Sequence, residues 1–158
     1  MKHILIFSDT HGYLTGCEKV IRESKEKVDA IIHAGDCTRD ADRLRAEFPS
    51  IDVYSVKGNC DMFVREPEEM TVIIDGVKIF ITHGHLYNVK LEYDYGTLKD
   101  RARRAGADMV VFGHTHKPCC DWDRELTVIN PGSSGYCGTY AEAWADNGKV
   151  RADMRRFD

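Results

Sequence analysis

The stretch HILIFSDTHGYLTGCEKVIRESKEKVDAIIHAGD, residues 3 to 36, determines the fold class of this chain. Residues 3 to 8 form a short apolar run, residues 14 to 27 carry apolar side chains at helical spacing between charges, and residues 29 to 35 form a continuous apolar run. The two runs have the character of buried strands, and the segment between them that of an amphipathic helix. A strand, a helix and a second strand in this order predict a βαβ unit and therefore an α/β fold.

The pattern continues beyond this unit. Residues 39 to 48 form a charged helical segment that ends before Pro49, and residues 51 to 59 supply a third strand. Two β-rich runs between residues 72 and 84 flank Asp75-Gly76, a dipeptide that strongly favours a tight hairpin turn. A hairpin adds an antiparallel pair to parallel strands, so the sequence predicts mixed β-sheet.

The last third of the chain is rich in predicted strands. Residues 94 to 106 have the pattern of a helix with a basic face, and the strand 108 to 113 follows its terminal glycine. Further strands are predicted at 126 to 133, 140 to 146 and 150 to 157, with Asn147-Gly148 as a hairpin turn between the last two.

Composition restricts the classes of function. A chain of 158 residues is about the size of one domain, and we expect a single domain over residues 1–158. The net charge of −4 and the lack of a Lys/Arg cluster exclude stable nucleic-acid binding from our expectations. Polar residues interrupt the apolar N-terminal run too early for a signal peptide or membrane span, so we expect a cytoplasmic protein. Its six cysteines lack CxxC spacing and should be reduced.

Side chains that can bind metal ions follow the apolar runs directly. In open α/β sheets, ligands bind at the carboxyl ends of strands, because loops from distant segments converge there. Side chains two apart in an extended segment point the same way, so Asp9 with His11, and His114 with His116, can each offer two ligands to one site. The candidate ligands are Asp9, His11, Asp36, Asn59, His83, His114 and His116.

These residues lie in five short motifs, namely DTH (9–11), GD (35–36), GNCD (58–61), HGH (83–85) and GHTH (113–116). Each motif alone is weak, but five in order, each after a predicted strand, form a specific pattern. From residue 4 to about residue 133 the chain resembles the calcineurin-like metallophosphoesterase superfamily, most closely its compact bacterial and archaeal phosphodiesterase branch. The resemblance implies a four-layer αββα sandwich of two mixed β-sheets flanked by helices, with a two-metal site at the sheet edge.

The resemblance also implies a ligand set for two divalent transition metal ions, with Asp36 bridging them. A carboxylate has two oxygens and can bind two cations that lie roughly 3.5–4 Å apart. Four imidazoles among seven ligands favour Mn²⁺, Fe, Zn²⁺, Ni²⁺ or Co²⁺ over Mg²⁺ and Ca²⁺, and Mn²⁺ is the first choice. One ion would take Asp9, His11, Asp36 and His116, and the other Asp36, Asn59, His83 and His114.

The implied reaction is in-line attack on phosphorus by a hydroxide that bridges the two ions, while Asn59 helps to hold the phosphoryl oxygens. The wider superfamily has a histidine that assists the leaving group at the position of Cys60, whereas the compact branch generally lacks it. His85 is the best substitute by position. A metal-bound water, or a leaving group that needs no acid, are alternatives.

The resemblance leaves three functions open. We expect a metal-dependent phosphodiesterase that hydrolyses small phosphodiesters or nucleotides, away from membranes, with a homo-oligomer as the default assembly. The first alternative is a phosphomonoesterase with the same site. The second is a non-catalytic protein-interaction scaffold, because the eukaryotic retromer complex contains a subunit of this fold whose metal ligands are partly replaced. All seven ligand positions of this chain hold the expected residue types, which favours an enzyme.

Other polar residues near the motifs have simpler interpretations. His33 lies inside an apolar strand and is expected to be a hydrogen-bonded core histidine behind the site. Cys60 is expected to behave as a small apolar residue and not as a nucleophile, and Asp61 to support the ligands without being one. The tyrosines after the HGH motif either line a substrate pocket or pack against a helix. They are Tyr87, Tyr93 and Tyr95.

Overall fold

The computed structural model describes residues 1–158 and contains ten strands and three α-helices. The strands are β1 (Lys2–Phe7), β2 (Ala30–His33), β3 (Asp52–Ser55), β4 (Glu69–Ile74), β5 (Val77–Thr82), β6 (Met109–Val111), β7 (Cys119–Asp123), β8 (Leu126–Asn130), β9 (Thr139–Asp146) and β10 (Lys149–Arg156). The helices are α1 (Thr15–Glu23), α2 (Thr38–Glu47) and α3 (Gly96–Arg104).

The strands form two five-stranded sheets, both of them mixed. The first has the order β10-β9-β1-β2-β3, in which β1, β2 and β3 are parallel and β9 is antiparallel to both of its neighbours. The second has the order β4-β5-β6-β8-β7, in which β5, β6 and β8 are parallel and the two edge strands are antiparallel. The predicted mixed sheets are therefore confirmed.

Alternation along β1 shows how the layers form. Successive side chains of a strand point to opposite faces, and every residue from His3 to Phe7 is buried, so both faces of this sheet are covered. Ile4 and Ile6 pack in the core between the two sheets, whereas Leu5 and Phe7 pack with the apolar faces of α1 and α2. The first sheet is thus covered by helices outside and by the second sheet inside.

Helix α3 covers the outer face of the second sheet. Its buried side chains Leu98 and Ala102 pack against Phe80 of β5 and Val110 of β6. The layers therefore run helix, sheet, sheet, helix, which confirms the four-layer αββα sandwich. No helix in the structure has both the length and the apolar character needed to cross a membrane.

Both predicted hairpin turns are present, and one strand was missed. Asp75-Gly76 and Asn147-Gly148 each have positive φ at both residues, as tight hairpin turns require. The strand β7, which pairs with β8 through a turn at Arg124-Glu125, has no counterpart among the predicted strands. Its sequence CCDWD lies on a sheet edge with no fully buried residue, so it lacks the apolar alternation that reveals a strand.

Several strands also end earlier than predicted. The segment 51 to 59 leaves the sheet after Ser55, and the segment 108 to 113 after Val111. In both cases the chain leaves the sheet before it reaches the motif glycine, so the candidate ligands lie in loops just beyond the strands.

Candidate metal centre

Four neighbouring strands bring the candidate ligands to one edge of the sandwich. Asp9 follows β1, Asp36 follows β2, His83 follows β5, and His114 follows β6. The strands β1 and β2 are parallel neighbours in the first sheet, and β5 and β6 are parallel neighbours in the second, so their carboxyl ends meet at the same edge. Ligands more than 100 residues apart in the chain therefore converge there.

The ligand atoms form two groups that share Asp9. In one group the ligand atoms of Asp9, His11 and His116 lie within 4.8 Å of one another, and in the other those of Asp9, Asp36 and His83 do. His116 Nε2 is 3.1 Å from Asp9 Oδ1, and His83 Nε2 is 3.9 Å from the same oxygen. Asp9 Oδ1 is thus the one carboxylate oxygen that faces imidazoles of both groups.

Asp9 is held in this orientation by its other oxygen. Asp9 Oδ2 accepts hydrogen bonds from Ser8 Oγ at 2.5 Å and from the backbone N–H of His114 at 3.1 Å. The side chain is fully buried. Because Oδ2 is fixed, Oδ1 is the oxygen that faces the imidazoles of His83 and His116.

Asp36 contacts both the backbone and an imidazole at this edge of the sheets. Its Oδ1 accepts the backbone N–H of Cys60 at 3.0 Å, and its Oδ2 lies 3.4 Å from His83 Nε2. Asp36 therefore belongs to one ligand group, and Asp9 is the residue common to both. The bridging role of Asp36 stays a prediction.

His83 presents a buried nitrogen that has no hydrogen-bond partner. Its Nδ1 lies 2.8 Å from the carbonyl oxygen of Ala34, which can only accept, so Nδ1 carries a proton. Nε2 is buried and unpaired, and it points toward Asp9 and Asp36. An imidazole oriented by a hydrogen bond at Nδ1, with a free Nε2, is the usual arrangement of a metal-binding histidine.

The electrostatics of the pair Asp9 and Asp36 also fit a bound cation. Neither carboxylate has a Lys or Arg nitrogen within 4.0 Å, although both are buried. Burial alone would raise the pKa of Asp36, but the adjacent imidazole of His83 holds it below its ordinary value. Burial alone would lower the pKa of His83, but Asp36 and Asp9 raise it. The carboxylates therefore attract positive charge, and the imidazole and carboxylate donors suit a divalent transition metal.

Backbone strain is concentrated at the same residues. A positive φ is uncommon outside glycine and persists only where the surrounding structure enforces it, most often at functional sites. Five of the candidate ligands have this conformation. They are Asp9 (φ 50°), His11 (47°), Asp36 (58°), His114 (69°) and His116 (60°).

Two motif glycines allow close packing around the carboxylates. A Cβ atom on Gly58 would lie 2.0 Å from Asp36 Oδ1, and one on Gly113 would lie 2.1 Å from Ser8 Oγ and 2.6 Å from Asp9 Oδ2. No side chain fits at either position, which explains the glycines in the GNCD and GHTH motifs by packing.

The remaining candidates differ in how they face the centre. The ring of His114 lies edge-on to that of His83 at 5.0 Å, and the ring of His85 lies 5.5 Å from His83 and 6.1 Å from His114. These imidazoles therefore border the centre. Asn59 is exposed, and its side-chain amide donates to Cys60 Sγ at 3.7 Å. The structure thus brings Asn59 to the rim of the site without a contact to the carboxylates.

Burial affects the protonation of three groups at the rim. The pKa of His114 is lowered to about 4 by burial, then by the charges of His83 and Lys90. The pKa of His85 is lowered by burial and then by His83. Cys60 is exposed, but partial desolvation of its thiol, followed by the charge of Asp36, raises its pKa, so the thiol stays protonated and is a poor nucleophile.

Sequence reasoning missed two residues that support the centre. The ring of Tyr136 stacks on His116 with centroids 5.4 Å apart and lies 5.2 Å from His11. Ser133 Oγ donates to the backbone oxygen of Asp9 at 2.8 Å and accepts the N–H of Tyr136 at 3.0 Å. Ser133 ends the sequence INPGS (129–133). No spacing rule links Ser133 or Tyr136 to candidate ligands that lie far away in the sequence.

Asp61 organises two of the ligand loops. Its carboxylate accepts backbone N–H bonds from four residues at 2.8–3.0 Å, which agrees with a supporting role. These donors are Asp36, Cys37, Thr38 and Gly58.

His33 is a fully buried histidine behind the site, as its place in an apolar strand indicated. Its Nδ1 accepts the N–H of Gly35 at 3.3 Å, and its Nε2 lies 2.9 Å from Thr10 Oγ1. Burial lowers the pKa of His33 from 6.5 to about 4. The imidazole is therefore neutral in the folded protein near neutral pH.

We expect His33 to make the protein less stable in acid. The unfolded chain binds a proton at His33 near pH 6.5 and the folded protein only near pH 4, so stability falls as pH drops through this window. The loss reaches roughly 3 kcal/mol below pH 4, because each pKa unit is worth about 1.4 kcal/mol. Urea unfolding of the metal-free protein between pH 7 and 4 should show a shallower decline in His33→Gln than in wild type. If the free energy of unfolding declined equally with pH in the two proteins, His33 would not be the cause of the acid sensitivity.

Comparisons with known proteins show the family to which the chain is related. The sequence profile of the calcineurin-like phosphoesterase superfamily domain matches residues 1–145. YsnB of Bacillus subtilis, named a probable metallophosphoesterase, is 35% identical over 135 residues, covering 83% of this chain and 74% of that protein. A protein of Methanocaldococcus jannaschii named a phosphodiesterase is 30% identical over 149 residues, covering 84% of this chain and 83% of that protein.

Solved structures show the same fold. The crystal structure of a predicted phosphoesterase from Streptococcus pneumoniae superposes with a TM-score of 0.81 at 28% identity, over 98% of this chain and 89% of the other. Vacuolar protein sorting 29 from Cryptosporidium parvum superposes with a TM-score of 0.77 at 19% identity, over 99% and 97% of the two chains. At that identity the second likeness concerns the fold alone.

A buried cluster of carboxylates and imidazoles at the edge of an αββα sandwich defines a metal-dependent phosphoester hydrolase. The chain belongs to the calcineurin-like phosphoesterase superfamily.

Proposed function

We propose that this protein is a phosphodiesterase that uses two divalent transition metal ions to hydrolyse small phosphodiesters or nucleotides. The observation that carries the proposal is the shared position of Asp9, whose Oδ1 faces an imidazole from each ligand group. Two groups joined by one carboxylate suit a pair of ions, and the relative named a phosphodiesterase supports the diester substrate. Mn²⁺ stays the first choice of metal, and a cytoplasmic location and a homo-oligomer stay predictions.

When bound, the ions supply positive charge for the phosphoryl oxygens and a water molecule of lowered pKa as the nucleophile. The residues of the chain hold and orient this arrangement. Asp9 and His83 are fixed by hydrogen bonds to the protein interior, so their ligand atoms are preorganised. We expect Asn59, which is exposed at the rim, to donate its amide N–H to a phosphoryl oxygen.

The leaving group determines which esters the site can cleave. His85 is half-buried beside His83 and His114 and is the candidate proton donor. Its pKa is lowered by burial and by His83, which makes the neutral imidazole the prevailing form near pH 7. An acid that is mostly deprotonated suits esters with good leaving groups, and this favours activated diesters over alkyl monoesters.

The test is hydrolysis of bis-p-nitrophenyl phosphate beside p-nitrophenyl phosphate. The protein is stripped of metal and refilled with Mn²⁺, Ni²⁺, Zn²⁺ or Mg²⁺, and p-nitrophenolate release is followed. We expect the diester to be cleaved at least tenfold faster than the monoester, and only with transition metals.

The other results distinguish the alternatives. Faster cleavage of the monoester would replace the proposal by a phosphomonoesterase. Ions that bind without turnover of either ester would favour the protein-interaction scaffold, a role consistent with the fold shared with vacuolar protein sorting 29.

A further inference from the structure

A groove of about 600 Å³ opens beside the metal centre and is not used by the chemistry described above. It is lined by residues 89–93, by Tyr95, and by Thr115 and Lys117. Thr115 lies between the candidate ligands His114 and His116 in the sequence, so the groove borders the loop that carries them. We call it the Lys90 groove.

Hydrogen bonds and ring packing hold the side of the Lys90 groove that borders the GHTH loop. Thr115 Oγ1 accepts hydrogen bonds from Asn130 Nδ2 at 3.0 Å and from the backbone N–H of Lys117 at 3.1 Å. The ring of Tyr95 packs edge-on against Phe112 with centroids 4.9 Å apart. A bound molecule would therefore meet a fixed surface beside the ions.

The groove carries unbalanced positive charge. Lys90 and Lys117 are exposed, and neither ammonium has a carboxylate oxygen within 4.0 Å, whereas Lys99 on the nearby helix pairs with Asp123 at 3.0 Å. Glu92 also lines the groove, but its two oxygens accept the N–H of Thr97 at 2.8 Å and its hydroxyl at 2.5 Å. The lining therefore has two positive charges against the one negative charge of Glu92, and both lysine ammonium groups are without an ion pair and can contact an anionic group.

The groove also exposes apolar surface that no part of the chain covers. Tyr93 is 102% exposed and Leu91 is 85% exposed, and both lie in the wall beside Lys90. An exposed aromatic ring next to lysines is a platform on which a planar base can stack, a contact worth about 1–3 kcal/mol in single-stranded nucleic-acid sites. The volume lies within the range of small-molecule sites, roughly 300–1,000 Å³.

We propose that the Lys90 groove binds one arm of the phosphodiester when that arm is a nucleoside carrying a second phosphate. The ions would hold the scissile phosphate, Lys90 and Lys117 the second phosphate, and Tyr93 the base. The inference rests on the proposed phosphodiesterase function and specifies its substrate class. It assigns specificity to residues outside the five motifs.

The test compares two substrates that differ by one phosphate. They are thymidine 5′-(p-nitrophenyl phosphate) and the same ester with a 3′-phosphate, and both release p-nitrophenol. We expect kcat/KM to be about tenfold higher for the 3′-phosphorylated ester than for the other ester, mainly because its KM is lower. This ratio of kcat/KM values should fall with added salt, because the lysines are exposed. In Lys90→Gln/Lys117→Gln the ratio should approach one. In Tyr93→Ala both substrates should lose affinity.

The matched control is Lys149→Gln. Lys149 is an exposed lysine without an ion pair at the start of β10, beside the hairpin turn that contacts Asp75 at the opposite edge of the sheets. In Lys149→Gln the ratio of kcat/KM between the two esters should equal that of wild type. A wild-type ratio near one, or a ratio unchanged in the double variant, would overturn the proposal for the groove while leaving diester hydrolysis intact.

Failure of the proposed function would give a different result. If bis-p-nitrophenyl phosphate is not cleaved with any metal, binding of thymidine 3′,5′-bisphosphate to the metal-loaded protein is measured by calorimetry. Binding that weakens about tenfold in Lys90→Gln/Lys117→Gln and not in Lys149→Gln would support the groove as a nucleotide site. Absent or equal binding would refute it.

Discussion

Replacement of Asp36 by Asn should reduce diester hydrolysis by roughly 10³-fold while leaving the metal-free protein folded. Asn keeps the size of the side chain and the oxygen that accepts the N–H of Cys60. The substitution removes one negative charge from the buried set of candidate ligands, which contains no Lys or Arg. Loss of a preorganised electrostatic contact at a reacting centre typically costs about 10²–10³-fold in kcat, and the loss of a metal ligand adds to this.

The metal content of two variants shows whether Asp9 or Asp36 bridges the two ions. If Asp9 joins the ligand groups, Asp9→Asn should reduce the bound metal from two ions per chain toward none, and Asp36→Asn should leave one. If Asp36 is the bridge, Asp36→Asn should lose both. Metal content after dialysis, measured by mass spectrometry, distinguishes these results.

Asp100→Asn provides the control, because Asp100 is an exposed helical residue whose side chain forms no ion pair. Its activity and metal content should match those of wild type. Activity in Asp36→Asn above a tenth of the wild-type value would remove Asp36 from the centre.

The strands and turns could be predicted because they depend on local patterns, whereas the four-layer arrangement was implied by the family resemblance. Buried runs such as 3 to 8, and turn dipeptides such as Asp75-Gly76, report their conformation within a few residues. The strand β7 escaped prediction because an exposed edge strand needs no apolar alternation. Its pairing with β8 comes from hydrogen bonds, which polar residues form equally well.

The metal site was predictable in composition and less so in geometry. The motifs pointed to Asp9, His83 and the other candidate ligands because each follows a strand, and strand ends converge. Which carboxylate is shared depends on Ser8 Oγ and on the N–H of His114, which fix the second oxygen of Asp9. The latter contact joins residues more than 100 positions apart, and no sequence pattern reports it.

Asp61 should prove nearly as important to the site as a ligand, although it binds no metal in the predicted scheme. Replacement of Asp61 by Ala should lower the free energy of unfolding by roughly 3 kcal/mol, because it leaves four backbone donors without an acceptor. This loss is smaller than the sum expected for four buried hydrogen bonds. Asp61 is half-buried, so water can replace part of the lost bonds.

Asp61→Ala should also weaken metal binding. Two of the donors are the N–H groups of Asp36 and Gly58, so the carboxylate ties the loop after β2 to the loop that carries Asn59. Without this tie, Asp36 loses its fixed position, and metal affinity should fall by about 10–100-fold, as is typical when a partner that orients a ligand is removed. Calorimetric titration with Mn²⁺ measures this change.

Asp61→Asn separates the structural from the electrostatic part of this role. The amide keeps one oxygen and places an NH₂ group against two of the donors, so we expect about half of the stability loss seen in Asp61→Ala. Asp100→Ala, on the exposed face of α3, should change stability by no more than about 0.5 kcal/mol. If Asp61→Ala unfolds at the same urea concentration as wild type and binds Mn²⁺ equally well, the two loops are held by their own backbone contacts. The strain at Asp36, whose φ is 58°, would then be maintained without the Asp61 carboxylate.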